Sequence, residues 1–249
     1  MTNKENTENT AIDATTVAEP ELTISQSIIK NAIGLALFAF ITAGVIALTQ
    51  QTTADRIEFN IAEAQAKALY EITPKETVDN DLLNDFLSIT PESEKDLRNI
   101  RLLGPLDKNA KIFFAKTNNK IHTLIYPTVA PDGYTTIIKL LVGIKTDGTI
   151  SGVRIVDHKE TPGLGDKVEL KKSDWVLSFE GKSLTIPDIE KWKVEKDGGD
   201  FDQFTGATIT PRAVVNAVKN TLIFHEESIE QLLKLKAQAD SQTNNEEQL

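Results

Sequence analysis

Cysteine is absent from this chain of 249 residues. This absence excludes disulfide bonds, thiolate metal sites and iron–sulfur clusters held by cysteine. Histidine is scarce as well: His122, His158 and His225 are the whole set, and they stand too far apart in sequence for a metal-ligand motif. The sequence therefore predicts no metal site.

Basic clusters are also missing, since the chain has 37 acidic and 27 basic residues and a net charge of −10. Nucleic acids attract clustered lysine and arginine, so we expect no nucleic-acid partner. The sequence contains no catalytic triad, acid–base pair or nucleotide-binding glycine motif. We therefore predict no catalytic residue and no stand-alone catalysis.

One long segment lacks charge entirely. Residues Asn31 to Ala54 form an uncharged run of 24 residues, which as a helix would span about 36 Å, more than a hydrocarbon core of about 30 Å. A cleaved signal peptide fits less well because the preceding leader is long and acidic, and a buried soluble helix is usually shorter. We predict one transmembrane helix at residues 31–51 that acts as an uncleaved signal anchor.

The charges flanking this segment do not decide its orientation. Lys30 precedes it, whereas Arg56 and Lys67 follow soon after. A count of positive charges is therefore indecisive or slightly contrary to a cytoplasmic N-terminus.

The rest of the chain alternates between helical and strand patterns. Apolar residues at helical spacing predict a helix from Asp55 to Ile72, ended by Pro74, with short helical pieces around 82–87. Strands are predicted at 112–117, 120–126, 134–145 and 149–157, joined by turns at Asn118-Asn119 and Asp147-Gly148, the latter with positive φ at both positions. Helices are predicted at 168–178 and 212–236.

These patterns predict an α+β chain in five parts. After a single N-terminal transmembrane helix comes an antiparallel sheet with flanking helices. The predicted parts are a disordered leader at 1–30, the transmembrane helix at 31–51, a membrane-proximal stalk or lobe at 52–105, the sheet domain at 106–237 and a disordered tail at 238–249.

A threonine-rich motif precedes the last helix, Thr205-Gly-Ala-Thr-Ile-Thr210-Pro-Arg. Proline is tolerated in the first turn of a helix, so we expect the helix to start at Pro211 with Thr210 as its N-cap. A helix N-terminus favours a phosphate, bound or esterified. The same residues also fit a plain threonine cap with no ligand.

A second motif, His158-Lys-Glu-Thr-Pro-Gly-Leu-Gly165, is rich in turn residues. Gly163 and Gly165 allow the backbone to turn and to approach a flat ligand. A turn without a ligand, and a solvated surface carboxylate at Glu160, remain open. His158 is interpreted as a surface residue at a strand end, and Trp175 and Trp192 as core or rim aromatics.

Together the two motifs resemble the domain that carries FMN through a phosphoester on a threonine. With the lead-in Asp197 to Phe204, residues 133–224 resemble the G subunit of the Rnf (or Rsx) ion-translocating electron transport complex. The resemblance implies covalent FMN on Thr210. It also implies that the cofactor contacts Thr205, Gly206, Ala207, Thr208, Glu160, Thr161, Gly163, Leu164, Gly165 and Arg212.

The resemblance further implies an electron-carrying flavoprotein in the cell inner membrane, with one membrane pass and its C-terminal domain in the periplasm. Its partners would be the other members of the complex and a flavin transferase. The complex would couple electron transfer between ferredoxin and NAD to ion translocation, or keep a redox-sensing regulator reduced. Two alternatives stay open: the C subunit of a Na⁺-translocating NADH:quinone reductase, and a flavin-free membrane-anchored binding or assembly module.

Overall fold

The computed structural model describes residues 24–89 and 97–246. It contains two compact units, divided between Ile57 and Glu58. The disorder predicted for the start of the leader concerns residues outside the described part. The predicted stalk or lobe at 52–105 is divided, because its residues from Glu58 onward belong to the same unit as the sheet.

Helix α1 runs from Ile24 to Ile72, a length of 49 residues. It joins the predicted transmembrane segment to the predicted helix at 55–72, and it includes residues 24–30 of the predicted leader. Its apolar window has a mean hydropathy of 2.3 and is entirely unburied. Threonine hydroxyls within it donate to carbonyls one turn back, as from Thr49 to Val45 at 2.8 Å, so they are satisfied without water. By length and composition this helix can cross a membrane.

Five strands form one antiparallel sheet in the order β1-β2-β3-β4-β5, which confirms the predicted α+β class. They are β1 Phe86–Ser88, β2 Lys111–Thr117, β3 Lys120–Ala130, β4 Ile138–Lys145 and β5 Ile150–Asp157. The prediction had four strands. The helical pieces expected at 82–87 are wrong, since this stretch is a turn that runs into β1.

The two predicted hairpin turns are present. Asn118 and Asn119 have φ of 52° and 58°, as a two-residue turn between twisted strands requires. The second turn, whose Asp-Gly pair tolerates positive φ at both positions, has it only at Gly148, at 84°. Asp147 instead accepts the Thr149 N–H at 2.9 Å through its side chain, which closes the loop in a different way.

Each face of the sheet is covered by a helix. Helix α2, Ile209–Glu246, buries an apolar stripe in the larger core: Val214, Val215, Val218 and Leu222. Alternate residues of the strands, such as Phe113 and Ile125, face the other way and pack with Leu69 and Ile72 at the end of α1. This alternation follows from the two-residue period of strands.

Two helical predictions need correction. The helix predicted at 168–178 is a pair of short 3₁₀ helices, Gly165–Val168 and Asp174–Phe179, because the Ser173 side chain caps the second one by accepting the Trp175 N–H at 3.1 Å. The disordered tail predicted from 238 is also wrong up to Glu246, where α2 ends. Asp240 of this extension pairs with Lys116 of β2 at 3.3 Å.

Candidate functional site

The threonine-rich motif begins as a tight turn. The Ala207 N–H donates to the Phe204 carbonyl at 3.1 Å, and Gly206 between them has φ of 83°. That conformation favours glycine because a Cβ would crowd the neighbouring backbone. The turn leaves Thr205 exposed and directs the chain into α2.

The start of α2 differs from the expectation. The Arg212 N–H donates to the Thr208 carbonyl at 3.3 Å, and the helix begins at Ile209. Thr208 is therefore the N-cap, and Thr210 is the second residue of the helix rather than its cap. Pro211 still lies in the first turn, where backbone N–H groups have no intrahelical partner. The N–H groups of Ile209 and Thr210 remain at the positive end of the helix dipole.

The Thr210 hydroxyl donates a short hydrogen bond to Oε2 of Glu160. Thr210 has no exposed surface and Glu160 is only 5% exposed. The second carboxylate oxygen, Oε1, accepts the Thr135 N–H at 3.0 Å. The structure thus joins the two predicted motifs, 50 residues apart, through their hydroxyl and carboxylate. The solvated carboxylate considered for Glu160 is excluded.

His158 holds the backbone that carries Glu160. Its Nδ1 accepts the Glu160 N–H at 3.0 Å, so the ring proton is on Nε2, which donates to Glu169 at 2.6 Å. The His158 side chain is 9% exposed. The interpretation of His158 as a surface residue is therefore wrong, and the histidine is a fixed link in the turn.

Gly165 lies directly against the Thr210–Glu160 pair. A Cβ at Gly165 would come within 2.8 Å of Glu160 Oε2 and 2.9 Å of Thr210 Oγ1. Gly163, by contrast, has φ of 78° and open space around it. The two glycines of the loop are therefore needed for different reasons. Gly165 leaves room for the Glu160 and Thr210 side chains, whereas Gly163 adopts a left-handed backbone conformation.

A cavity of about 190 Å³ lies beside this pair. Eight of the eleven predicted site residues line it: Glu160, Thr161, Leu164, Gly165, Gly206, Ala207, Thr208 and Thr210. Thr205, Gly163 and Arg212 do not line it. Two further lining residues were not predicted: Tyr134, which belongs to neither motif, and Ile209, an apolar residue inside the threonine-rich motif.

Arg212 has a different partner from the one expected. Its guanidinium pairs with the Asp197 carboxylate through two hydrogen bonds of 2.6 and 2.9 Å. This pairing lowers the pKa of Asp197 and raises the pKa of Arg212. No lysine or arginine lines the cavity within the described part of the chain. Positive potential there comes from the start of α2.

An aromatic cluster supports the turn that leads into α2. The Trp175 ring N–H donates to the Asp202 carbonyl at 2.8 Å, and the ring packs edge-on against Phe204 at 5.1 Å. Trp192 and Phe201 pack together at 4.9 Å. As predicted, both tryptophans are core residues, and they fix the approach of the threonine motif.

These residues fit a bound phosphate ester. A helix N-terminus, a buried hydroxyl and side chains no larger than a methyl at Gly206 and Ala207 meet at one cavity. The model of the FMN-binding domain matches residues 133–223, which contain both motifs. The class defined by fold and site is therefore an FMN-binding flavoprotein.

The model of the RnfG N-terminal region matches residues 22–72, which include the whole of α1. A relative from Pseudoalteromonas atlantica is 42% identical over 219 residues, or 88% of this chain and 98% of its own length. Relatives from Vibrio vulnificus and Pseudomonas aeruginosa are 44% and 45% identical, covering 82% and 84% of this chain and 92% and 93% of theirs. All three are named as the G subunit of an ion-translocating oxidoreductase complex.

The chain belongs to the RnfG family, the G subunits of the Rnf ion-translocating oxidoreductase complexes. It is a flavoprotein subunit of an electron-transport complex, and other subunits of that complex are its implied partners. The apolar part of α1 suggests a membrane anchor. The relatives favour this family over the alternative of the quinone reductase C subunit.

Proposed function

We propose that this protein carries FMN through a phosphoester bond to the Thr210 hydroxyl. The observation that carries the proposal is the placement of Thr210 among the residues that line a small cavity, at the N-terminus of α2. A flavin transferase would move the FMN part of FAD to Thr210 in the presence of Mg²⁺. The attached FMN would then supply the redox chemistry of the protein.

The residues around the cavity have separate tasks in this proposal. The free N–H groups of Ile209 and Thr210 donate toward the phosphate, and the helix dipole offsets its charge. Gly206 and Ala207 let the backbone approach the ester. Leu164 and Tyr134, both exposed, offer hydrophobic surface at the cavity for a flat ring.

At the level of the complex, we propose that the flavin passes electrons in a reaction between ferredoxin and NAD that is coupled to ion translocation. In some bacteria the same type of complex would instead keep a redox-sensing regulator reduced. The protein would lie in the cell inner membrane with one pass and its flavin domain in the periplasm. Tethering suits that compartment, where a lost cofactor is not easily replaced.

Replacing Thr210 with alanine tests the attachment site. We expect Thr210→Ala to abolish covalent flavin, because the hydroxyl is the only group at this position that can form the ester. Loss of one buried hydrogen bond costs about 1–3 kcal/mol, so the variant should remain folded and inserted in the membrane. Thr210→Ser keeps the hydroxyl and should still accept flavin.

The measurement is the intact mass of each protein purified from its native membrane, with flavin fluorescence of the denatured gel band. An added FMN less one water on the peptide that contains Thr210 supports the proposal. In-gel flavin fluorescence retained by Thr210→Ala would contradict the attachment site. A wild-type protein that stays unmodified after co-expression with the transferase would favour the flavin-free module.

A further inference from the structure

The Thr210 hydroxyl and the Glu160 carboxylate form a buried donor–acceptor pair. The hydroxyl proton points at Glu160 Oε2. Within the described residues Thr210 Oγ1 accepts no hydrogen bond beside this one, so its lone pairs are not engaged by a donor. A threonine hydroxyl is a weak nucleophile at neutral pH and becomes effective when an adjacent base accepts its proton. Glu160 already occupies the place of that base.

Glu160 is held in this place from several sides. Thr135 N–H fixes Oε1, and His158 fixes the backbone N–H. A Cβ at Gly133 would lie 3.2 Å from Oε1, and one at Gly165 would lie 2.8 Å from Oε2. The carboxylate therefore has little freedom to turn away from Thr210. A general base must be within hydrogen-bond reach of the proton it removes, and Glu160 meets this requirement before any flavin arrives.

We propose that Glu160 is the catalytic base in the flavinylation of its own chain, an inference that rests on the proposed attachment of FMN to Thr210. Thr210 Oγ1 attacks the phosphorus on the FMN side of FAD, and the proton of the hydroxyl passes to Glu160 Oε2. The new bond joins Oγ1 to phosphorus, the bond from phosphorus to the bridging oxygen of AMP breaks, and AMP leaves with that oxygen. Nothing is oxidised or reduced.

The proton on Glu160 also removes a charge conflict in the product. An ester oxygen cannot donate, so an ionised Glu160 would lose its Thr210 donor and would face a phosphodiester charge while buried. A buried charge without a partner is costly. No cationic side chain among the described residues lines the cavity, so the retained proton prevents a second negative charge beside the phosphodiester. In this proposal the transferase binds FAD and Mg²⁺, and the base comes from the chain that accepts the flavin.

The test follows flavinylation of the purified full-length chain in detergent, with flavin transferase, FAD and Mg²⁺, by intact mass over time. Glu160→Gln preserves size and one acceptor oxygen but cannot take a proton in this role. We expect its rate to fall by about 100-fold or more, within the range for loss of a general base. Glu180→Gln, a carboxylate that is 42% exposed and pairs with Arg154, is the control and should react at the wild-type rate.

A second variant separates proton transfer from simple positioning. In Glu160→Ala, added formate can enter the space left by the side chain and should raise the rate at least tenfold, whereas chloride at the same ionic strength should not. Thermal unfolding of the flavin-free variants verifies that they are folded at the assay temperature.

The outcomes distinguish this inference from the function on which it rests. A Glu160→Gln rate within twofold of wild type, or a slow Glu160→Ala that formate does not restore, overturns the role of Glu160 as base while attachment at Thr210 stands. A wild-type chain that gains no flavin, or a Thr210→Ala variant that does, overturns the attachment itself.

Discussion

Gly165 lies where the two motifs contact each other, and the space there is too small for any side chain. A single methyl there would overlap Glu160 Oε2 and Thr210 Oγ1. Gly163 lies two residues away in the same loop and has open space around it. Substitutions at these two glycines therefore compare the effect of steric crowding, at Gly165, with the effect of a left-handed backbone conformation, at Gly163.

We expect Gly165→Ala to lose flavinylation and Gly163→Ala to retain it. The methyl at position 165 must push the carboxylate and hydroxyl apart, and overpacking of this kind typically costs about 1–3 kcal/mol. Alanine at position 163 should lower the free energy of unfolding only through its left-handed backbone conformation, by roughly 1–2 kcal/mol. Both variants should have lowered melting temperatures, but flavin incorporation measured by intact mass should separate them. Equal incorporation in the two variants would show that close packing at Gly165 is not required.

Sequence alone could identify the residues of the site but not their connections. The glycines and threonines form recognisable local motifs, so eight of the predicted residues do line the cavity. The bond from Thr210 to Glu160 joins positions 50 residues apart, and no local pattern encodes such a pairing. Arg212 was expected to contact the cofactor, yet its guanidinium forms two hydrogen bonds with Asp197 in the preceding loop.

At the scale of elements, apolar segments bounded by turn residues predicted most of the sheet, and helical periodicity predicted α2. Strands β2 to β5 are buried over most of their length because both faces of the sheet are covered, and turn residues separate them. Strand β1 has three residues, too few to give a recognisable strand pattern. The end of α2 is polar and has the composition of a tail. It is helical up to Glu246, and Asp240 within this extension forms an ion pair with Lys116 of β2.

One contact between α2 and β3 makes stability depend on pH. His225 Nδ1 and the Tyr126 hydroxyl lie 2.7 Å apart in the core, and His225 is 2% exposed. Burial lowers the pKa of His225 to about 4, although the Asp147 carboxylate and the Lys145 backbone act in the opposite direction. Burial also raises the pKa of Tyr126 well above its usual value. The folded protein therefore favours neutral His225.

Acidification should consequently destabilise the folded state. Between pH 6.5 and 4 the unfolded chain binds a proton at His225 that the folded chain does not, so the free energy of unfolding falls as pH decreases through this window. The full contribution is about 3–4 kcal/mol, at about 1.4 kcal/mol per pH unit. Thermal unfolding at pH 7 and pH 4.5 measures most of it. His225→Gln removes the titration and should lose part of the wild-type acid sensitivity; an unchanged difference between the two pH values would contradict this account.

At the scale of the whole molecule, composition and charge correctly indicated a long apolar helix followed by a folded domain. They could not orient that helix, because Lys30 on one side and Arg56 and Lys67 on the other nearly balance. Orientation depends on translocation and on assembly with other subunits, which the chain's own packing does not encode. The proposed periplasmic location of the flavin domain therefore needs a direct measurement.

Because the chain has no cysteine, single-cysteine variants can be made for that measurement without first removing native thiols. We expect Glu190→Cys, at an exposed site in the folded domain, to react in intact spheroplasts with a thiol reagent that cannot cross the inner membrane. Thr10→Cys, on the N-terminal side of α1, is the matched control and should react only after the membrane is permeabilised, because a single pass places the two ends of the helix in opposite compartments. The wild-type chain should not react in either case. The reverse labelling pattern would place the flavin domain in the cytoplasm, and labelling of both variants in intact spheroplasts would contradict a single pass.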